Sequence, residues 1–403
     1  MNRAVITATS LVAPQAFDPK TFWSLVKSGK SAISRLERFD TTSVGCTIGG
    51  EVGPFDLGFI PMEMKPKRLA RHTQLLLKAA MPLREWLPDN GDFGINIGVA
   101  TSDAMMIAQS GFQRAVKGFN GANGNIVSQS PPHAAVGSVA QLLGARGEVH
   151  TASTACAAGL DAIGLAARDI ANGIARCTVA GGGDSPLDIS PLTEFVKSGL
   201  ASLRNGYPSQ ASRPFDAFAD SGVLSDAAGL VIVEELEHAL ERNVPILGEV
   251  VGYAVNCDLD RTKPGGGYAA CMREALDSAG LIPEEVDYIS AWGPGHPVLD
   301  RAENDAIEEV FGDYADDVPV SSIKGVLGNP LAAAGPIQVI TTLLGMQEKL
   351  IPHTTNLEVP LGGSRLNFVT GRPLRYEHSV VLINAHGIGG ANVCLILQRY
   401  PES

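Results

Sequence analysis

The chain has 403 residues, of which 45% are hydrophobic and 18% are charged, and its formal net charge is −12. The composition is typical of a soluble globular protein, and the length is enough for roughly two or three domain-sized units. The acidic charge argues against nonspecific binding to nucleic acid, and the absence of any apolar run of about 18 residues argues against a membrane-spanning helix.

The first part of the chain alternates predicted strands with predicted helices. It enters a strand almost at once, which argues against a signal peptide. Apolar, β-branched runs indicate buried strands, and apolar residues at helical spacing indicate helices. Residues 33–55 are predicted to be loop with an edge strand, and residues 101–127 show a less regular pattern. The predicted strands are residues 4–7, 93–100, 149–155, 177–184 and 229–237, and the predicted helices are residues 17–30, 65–86, 131–144 and 157–174.

The same alternation starts again after residue 245. Strands that alternate with helices and are themselves apolar predict an α/β fold with helices on both faces of the sheet. Residues 153–159 and the helix after them have a weak counterpart in residues 322–337, which predicts two related halves, residues 1–245 and residues 246–403. The predicted strands of the second half are residues 246–255, 286–291, 318–323, 380–384 and 393–397, and its predicted helices are residues 267–280, 300–311 and 331–349.

The cysteines bear on both metal binding and compartment. No pair has C-x-x-C or another metal-binding spacing, so no bound metal is expected. Scattered cysteines are typical of a reducing compartment, which predicts a cytoplasmic protein. The six cysteines are at positions 46, 156, 177, 257, 271 and 394.

Cys156 differs from the other cysteines because it lies between the predicted strand 149–155 and the predicted helix 157–174. The start of a helix offers unpaired backbone N–H groups and the positive end of the helix dipole. That environment favours the thiolate, so we expect a lowered pKa and a nucleophilic thiol. Small residues on both sides of Cys156 would let a substrate approach closely. The alternative is a buried structural cysteine, the usual state of an unpaired cysteine.

Six stretches of the chain, in order and at similar spacing, resemble the β-ketoacyl synthase family, the condensing enzymes of fatty-acid and polyketide synthesis. The resemblance implies a thiolase-like fold with duplicated halves in five layers, α-β-α-β-α. It also implies a homodimer or a heterodimer of related chains. The implied substrates are acyl groups carried on the phosphopantetheine of acyl carrier protein, with no permanently bound cofactor. The six stretches are residues 154–159, 179–183, 212–216, 231–238, 321–324 and 387–392.

The resemblance also assigns roles to individual residues. Cys156 would be the acyl-accepting nucleophile, and the backbone N–H groups of Cys156 and Ile388 would stabilise the tetrahedral oxyanion. Lys324 matches the family pattern and is implied to remain in the site. Other positions depart from that pattern. Trp292 and Asn329 replace the two family histidines, Pro294 and His296 replace threonines that hold pantetheine, Gln338 replaces an acidic residue, and His386 and Ile388 replace a phenylalanine pair.

These replacements predict altered chemistry. Trp292 can donate one hydrogen bond but cannot shuttle protons, and its bulk would fill the space where malonyl binds. Asn329 can still donate a hydrogen bond. His386 is expected close to Cys156, where it could lower the pKa of the thiol, act as a general base, or only fill the space of the lost phenylalanine. His296 is a further catalytic candidate.

We interpret the chain as a divergent ketosynthase-type acyltransferase that forms an acyl thioester on Cys156 and passes the acyl group on. The replacements put ordinary decarboxylative condensation in question, so the acceptor is either a carrier-protein carbanion or an oxygen, nitrogen or sulfur nucleophile activated by His386. The alternative is a non-catalytic partner, similar to a chain-length factor, that dimerises with an active ketosynthase. A thiolase or 3-hydroxy-3-methylglutaryl-type enzyme acting on coenzyme A esters is a third class, which the order of the late motifs disfavours.

Overall fold

The computed structural model describes residues 1–101, 103–260 and 262–401. Within these ranges, eleven strands join into one mixed sheet. We number them β1 to β11 in chain order. Their bounds are Ala4–Val12, Gly94–Gly98, Val149–Ala152, Cys177–Asp184, Ala227–Glu235, Gly248–Cys257, Tyr288–Ser290, Pro319–Ser321, Asn367–Phe368, Val380–Gly387 and Ala391–Gln398.

Twelve α-helices, α1 to α12, accompany the sheet over the same ranges. No helix of this described part of the chain has the length and apolar character needed to cross a membrane. The helix bounds are Pro19–Ser28, Arg71–Ala80, Ala104–Lys117, Ile126–Gln129, Pro132–Leu143, Ala158–Ala171, Ile189–Lys197, Leu236–Glu241, Tyr268–Ala279, Pro297–Phe311, Lys324–Leu327 and Ala334–Glu348.

The sheet repeats itself on either side of the central pair β1 and β6. Its order is β9-β8-β7-β10-β11-β6-β1-β5-β4-β2-β3. On one side, β1, β5 and β4 are successively antiparallel, and β4, β2 and β3 are parallel. On the other side, β6, β11 and β10 are antiparallel, and β10, β7 and β8 are parallel. This arrangement confirms the α/β class and the duplicated fold. The exact boundary at residues 245/246 stays a prediction.

Helices α6 and α12 form the central layer of the molecule. Helix α6 contacts strands β2, β4 and β5 of the first half and strands β6 and β11 of the second, and α12 packs on α6, β5 and β10. Helices α2 and α5 cover the outer face of the first half, and α9, with α10 packed on it, covers the second. The five layers α-β-α-β-α follow from these contacts.

The high glycine content permits close approach at the centre of the fold. A Cβ on Gly159, at the start of α6, would lie 2.1 Å from the carbonyl oxygen of Ala332. A Cβ on Gly98, at the end of β2, would lie 2.2 Å from the carbonyl carbon of Ala158. A larger residue at Gly159 would push the two halves apart, and one at Gly98 would push α6 away from β2.

Three parts of the secondary-structure prediction were wrong. Residues 65–86 do not form one helix, because Pro66 and Pro82 lie in 3-10 turns on either side of α2. Residues 101–127 are more regular than expected, since α3 occupies much of them and begins where the Asp103 carboxylate accepts the N–H of Met106 at 2.9 Å. Helix α7 was not predicted. Its N-cap is Asp188, and its apolar residues Ile189, Leu192, Phe195 and Val196 have helical spacing, so the signal was present in the sequence and was overlooked.

Candidate active site

Cys156 lies in a tight turn between β3 and α6. The strand ends at Ala152, and Ala155–Ala157 form a 3-10 turn directly before the helix. Ala155 has φ 51°, a left-handed conformation that costs a non-glycine residue roughly 1 kcal/mol or more. Thr154 supports the turn by donating its hydroxyl hydrogen to Asp161 Oδ2 at 2.8 Å. A strained and braced turn therefore carries the thiol.

A second backbone segment closes on this turn from the end of β10. A Cβ on Gly387 would lie 2.3 Å from the carbonyl oxygen of Thr154, so the two segments are in direct contact. The backbone N–H groups of Ile388 and of Cys156 itself both favour the thiolate form of Cys156 and lower its pKa. These are the two N–H groups that the family resemblance assigns to the oxyanion, and that assignment stays a prediction.

The expected lowering of the Cys156 pKa is wrong. Burial, together with a smaller effect of the Asp184 carboxylate, raises the pKa of this thiol to about 12, against the opposing effects of Ile388 N–H, Lys324 and Cys156 N–H. The side chain is only 3% exposed, so the loss of solvation outweighs the local dipoles. Cys156 also precedes α6 in a 3-10 turn instead of starting the helix. The thiol, not the thiolate, is its resting form.

Trp292 occupies a buried position between His386 and Lys324. Its ring meets the His386 ring edge to face with 5.6 Å between centroids. Lys324 Nζ lies 5.3 Å from the indole centroid and donates to the Trp292 carbonyl oxygen at 2.5 Å. Among the described residues, the indole Nε1–H has no hydrogen-bond acceptor. The bulky ring thus fills space that a histidine at this position would leave partly open.

Lys324 and Glu303 are buried ionisable groups that act on each other's pKa, a relation that the sequence did not reveal. Burial lowers the pKa of Lys324 to about 8, and the nearby Glu303 and Cys156 oppose this change. Glu303 accepts the backbone N–H groups of Trp292 and Gly293, each at 2.8 Å. The only sequence signal for Glu303 was its place three residues after Asp300 on the inner face of α10.

The loop that carries Pro294 and His296 is held by Asp300. The carboxylate of Asp300 accepts the N–H groups of Phe215 at 2.7 Å, Gly295 at 3.1 Å and His296 at 3.3 Å. Burial raises the pKa of Asp300 to about 8 in spite of these hydrogen bonds. Pro294 is buried, whereas His296 is partly exposed at the N-terminus of α10.

Asn329 and Gln338, the other two replaced positions, have structural contacts. The N–H of Asn329 donates to the Val223 carbonyl at 2.6 Å, and its side-chain oxygen has no partner in the described part of the chain. Gln338 Nε2 donates to the carbonyls of Ser290 at 3.0 Å and Ala291 at 3.1 Å. A carboxylate cannot donate, so glutamine is the residue that fits this cluster of carbonyls.

His386 is held in one orientation by a polar chain behind it. Its Nδ1 lies 2.8 Å from Asn392 Oδ1, and Asn392 Nδ2 donates to Asp258 Oδ1 at 2.8 Å. Because the Asn392 nitrogen already donates, its oxygen is the acceptor, which puts the hydrogen of His386 on Nδ1 and the lone pair on Nε2. Burial lowers the pKa of His386, opposed by Asn392 and Asp258. No hydrogen bond joins His386 to Cys156 among the described residues, so the pairing of the two stays a prediction.

A cavity of about 430 Å³ opens beside this histidine. His296 also lines it, and so does Ile388, whose side chain is 48% exposed. The remaining walls are mostly apolar or glycine. No group of three or more His, Cys, Asp or Glu side chains within residues 1–101, 103–260 and 262–401 is arranged to hold a metal ion. The rest of the lining consists of Leu200, Asp258, Pro264, Val298, Leu299, Gly389 and Gly390.

Sequence reasoning missed three groups that act on the site residues. Asp184 and Glu303 carry no local motif that marks them as site residues, and Asn392 ends the family stretch 387–392 but was given no role. Asp184 accepts the N–H groups of Ala100 and Ala332, each at 3.0 Å, and so ties the turns of the two halves together. The folded structure brings Asp184 to Cys156, Glu303 to Lys324 and Asn392 to His386.

The fold and the site together define a thiolase-like protein with a buried cysteine at its centre. The chain matches the family model of the beta-ketoacyl synthase N-terminal domain over residues 1–239 and that of the C-terminal domain over residues 247–358. It is 33% identical over 411 residues to 3-oxoacyl-[acyl-carrier-protein] synthase 2 of Synechocystis sp., which covers 99% of this chain and 98% of the relative.

Two solved structures are similar over nearly the whole chain. One is a type II polyketide synthase acyl carrier protein in complex with its ketosynthase bound to the hexaketide, with a TM-score of 0.89, 28% identity and coverage of 99% of this chain and 100% of the other. The other is the ishigamide ketosynthase/chain length factor, with a TM-score of 0.91, 26% identity and the same coverage. The chain belongs to the β-ketoacyl synthase family, which confirms the resemblance found in the sequence.

Proposed function

We propose that this protein is an acyltransferase that accepts an acyl group on Cys156 from the phosphopantetheine of acyl carrier protein and passes it to a second substrate. The observation that carries this proposal is the direct contact between the Cys156 turn and the segment that leads into Ile388, where a Cβ on Gly387 would lie 2.3 Å from the Thr154 carbonyl oxygen. The backbone N–H groups of Cys156 and Ile388 lower the pKa of the buried thiol, in line with this contact. Such a pair is suited to the oxyanion of a thioester adduct. The relative solved with an acyl carrier protein supports this donor.

The acylation step needs a base because the resting thiol is protonated. The lone pair on His386 Nε2 takes the proton of Cys156, and the sulfur attacks the thioester carbonyl. The N–H groups of Cys156 and Ile388 stabilise the resulting oxyanion. When the carbon–sulfur bond to pantetheine breaks, the proton passes from His386 to the departing pantetheine sulfur. The positive charge of Lys324 stabilises the transient thiolate of Cys156.

Ordinary decarboxylative condensation is not part of this proposal. Loss of carbon dioxide from a malonyl thioester develops charge on the thioester oxygen, which two hydrogen-bond donors normally stabilise. Trp292 offers one fixed N–H and fills the neighbouring space, and Asn329 offers one amide. We therefore assign Asn329 at most a hydrogen-bonding role, and Gln338 a structural one.

Intact-mass measurement with acyl carrier protein thioesters tests the proposal. We expect one acyl group on the wild-type protein and none on Cys156→Ala. Cys257→Ala is the matched control, because Cys257 is an exposed free cysteine and would be the first to react nonspecifically. Acylation that disappears with Cys257→Ala and persists with Cys156→Ala would refute the assignment.

A second function is favoured by the burial of both Trp292 and Cys156. A protein that forms a heterodimer with an active ketosynthase, as a chain-length factor does, would tolerate a filled site and a thiol with a pKa of about 12. The similarity to the ishigamide ketosynthase/chain length factor is in line with this role. Stable co-purification with a ketosynthase, with full product output from Cys156→Ala, would establish it over the acyltransferase.

A further inference from the structure

We propose, on the basis of the acyl transfer proposed above, that the acyl acceptor is an alcohol whose hydroxyl group binds between His296 and His386 in the cavity beside Ile388. The two imidazoles line the same cavity of about 430 Å³. Their contacts with the protein leave a hydrogen-bond acceptor on the His386 ring and a hydrogen-bond donor on the His296 ring. This difference between the two rings is the observation that carries the inference.

His386 presents a hydrogen-bond acceptor. Its Nδ1–H is used by Asn392 Oδ1 at 2.8 Å, so Nε2 is the ring nitrogen left for a ligand and it holds the lone pair. The direction of this assignment is fixed by Asn392 Nδ2, which already donates to Asp258 and to Asn256 Oδ1. A ligand that binds His386 Nε2 must therefore donate a hydrogen bond.

His296 presents a hydrogen-bond donor. Its Nδ1 accepts the backbone N–H of Val298 at 3.3 Å, where it caps the N-terminus of α10. In the neutral ring the hydrogen must then be on Nε2. Burial lowers the pKa of His296, which keeps the ring neutral near pH 7. A ligand that binds His296 Nε2–H must therefore accept a hydrogen bond.

A hydroxyl group satisfies both requirements at one atom, because it donates one hydrogen bond and accepts others. A primary amine is protonated at neutral pH and has no lone pair for His296. A thiol is a weak donor and a weak acceptor. The cavity walls are largely apolar and include Leu200, Pro264 and Leu299. They favour an alcohol, whose carbon chain can contact them, over a water molecule as the acceptor.

The transfer step balances with these groups alone. The hydroxyl oxygen attacks the carbonyl carbon of the Cys156 thioester while its proton moves to His386 Nε2. The new carbon–oxygen bond forms, the carbon–sulfur bond breaks, and the sulfur of Cys156 leaves as a thiolate. The high pKa of this thiol then favours return of the proton from His386 to sulfur, which releases an ester and regenerates the resting protein.

The test compares acceptors of equal chain length on the pre-acylated protein. After removal of the carrier protein, 1-hexanol, hexylamine or hexanethiol is added, and loss of the acyl mass from Cys156 is followed together with product. We expect hexanol to react at least about 10-fold faster than the other two. His386→Ala should slow the reaction about 100-fold, and added imidazole should restore part of the rate.

His296→Ser separates recognition from helix capping, since serine can still accept the Val298 N–H. We expect about a 10-fold loss with hexanol and little change with hexanethiol. His133→Ser, at an exposed position outside the cavity, is the matched control and should leave all rates unchanged. Equal rates for the three acceptors, or an unchanged hexanol rate in His386→Ala, would overturn the alcohol site.

Nitrogen-15 NMR of the histidine rings decides the same question without acylation. Hexanol should shift the Nε2 signals of both His296 and His386, whereas hexylammonium, which can only donate, should leave the signal of His296 unchanged. If no donor acylates Cys156 while hexanol still shifts both rings, the proposed transferase activity fails and the hydroxyl site stands. If hexanol shifts neither ring, the hydroxyl site is wrong whatever Cys156 does.

Discussion

At the scale of single residues, burial sets the protonation of the candidate site. Loss of solvation raises the pKa of the Cys156 thiol to about 12 and lowers the pKa of the His386 imidazole. Both groups are therefore neutral at rest. A neutral thiol and a neutral imidazole leave no charge in the apolar interior, and in the proposed reaction charge develops only when a thioester is bound to accept it.

Trp292→His is expected to restore malonyl decarboxylation only in part. The new imidazole can donate a hydrogen bond, but Pro294 and His296 still stand where the family has threonines that hold pantetheine. Release of carbon dioxide from malonyl acyl carrier protein measures the effect, and Trp86→His, at a partly exposed position, is the control. Full decarboxylation in Trp292→His would show that this one residue blocks condensation.

The pH dependence of Cys156 acylation is expected to follow His386. A base must be neutral to accept a proton, and burial lowers the pKa of His386, so the acid limb of the rate should lie at lower pH than the titration of an ordinary imidazole. Tyr268, Trp292, Asn392 and Asp258 surround this ring, and of these Asn392 and Asp258 raise its pKa.

Asp258→Asn should therefore move the acid limb of this profile to lower pH. The rate of acyl-enzyme formation in rapid-quench experiments gives the profile for each protein. A limb above pH 7 in the wild type, or a shift to higher pH in the variant, would remove His386 from the proton transfer.

At the scale of elements, the contact between the Cys156 turn and the end of β10 aligns the two N–H groups. Gly387 makes this contact possible because any side chain would meet the Thr154 carbonyl oxygen. The family motifs in the sequence identified both segments, and the structure explains why Gly387 is a glycine at the point where they touch. The arrangement behind His386 was not predictable, because Asn392 and Asp258 lie on β11 and after β6 and meet only in the folded sheet.

Gly387→Ala is expected to weaken both folding and acylation. The added Cβ would lie 2.3 Å from the Thr154 carbonyl oxygen, so the loop must shift and carry the Ile388 N–H with it. We expect a loss of about 1–3 kcal/mol in the free energy of unfolding and at least about 10-fold slower acylation.

Denaturant unfolding and intact-mass kinetics measure the two effects of this variant. Gly362→Ala is the control, since no atom lies within 4 Å of its added Cβ. Wild-type acylation by Gly387→Ala would mean that the Ile388 N–H has no part in the reaction.

At the scale of the whole molecule, the two halves meet through buried polar contacts as well as through α6 and α12. Tyr253, on β6, donates its hydroxyl hydrogen to Asp161 Oδ1 on α6 at 2.5 Å. Asp161 also receives the hydroxyl of Thr154 beside the nucleophile. The duplicated α/β fold was predictable from alternating elements and a weak internal repeat. The Tyr253–Asp161 hydrogen bond was not, since it joins residues 92 positions apart.

Tyr253→Phe is expected to lower the free energy of unfolding by about 1–3 kcal/mol, because it leaves the buried Asp161 short of one donor. Tyr207→Phe, at an exposed position, should change stability little. Chemical denaturation measures both variants. Equal stability of Tyr253→Phe and the wild type would mean that the hydroxyl bridge adds nothing to the contact between the halves.

The central claim is that Cys156 carries an acyl group during the function of this protein. Peptide-resolved mass spectrometry after incubation with acyl carrier protein thioesters tests it most directly. We predict one acyl adduct, located on Cys156, lost in Cys156→Ala and retained in Cys257→Ala. Absence of an adduct with every donor, together with full pathway output from Cys156→Ala, would contradict the claim and leave the ketosynthase-partner role.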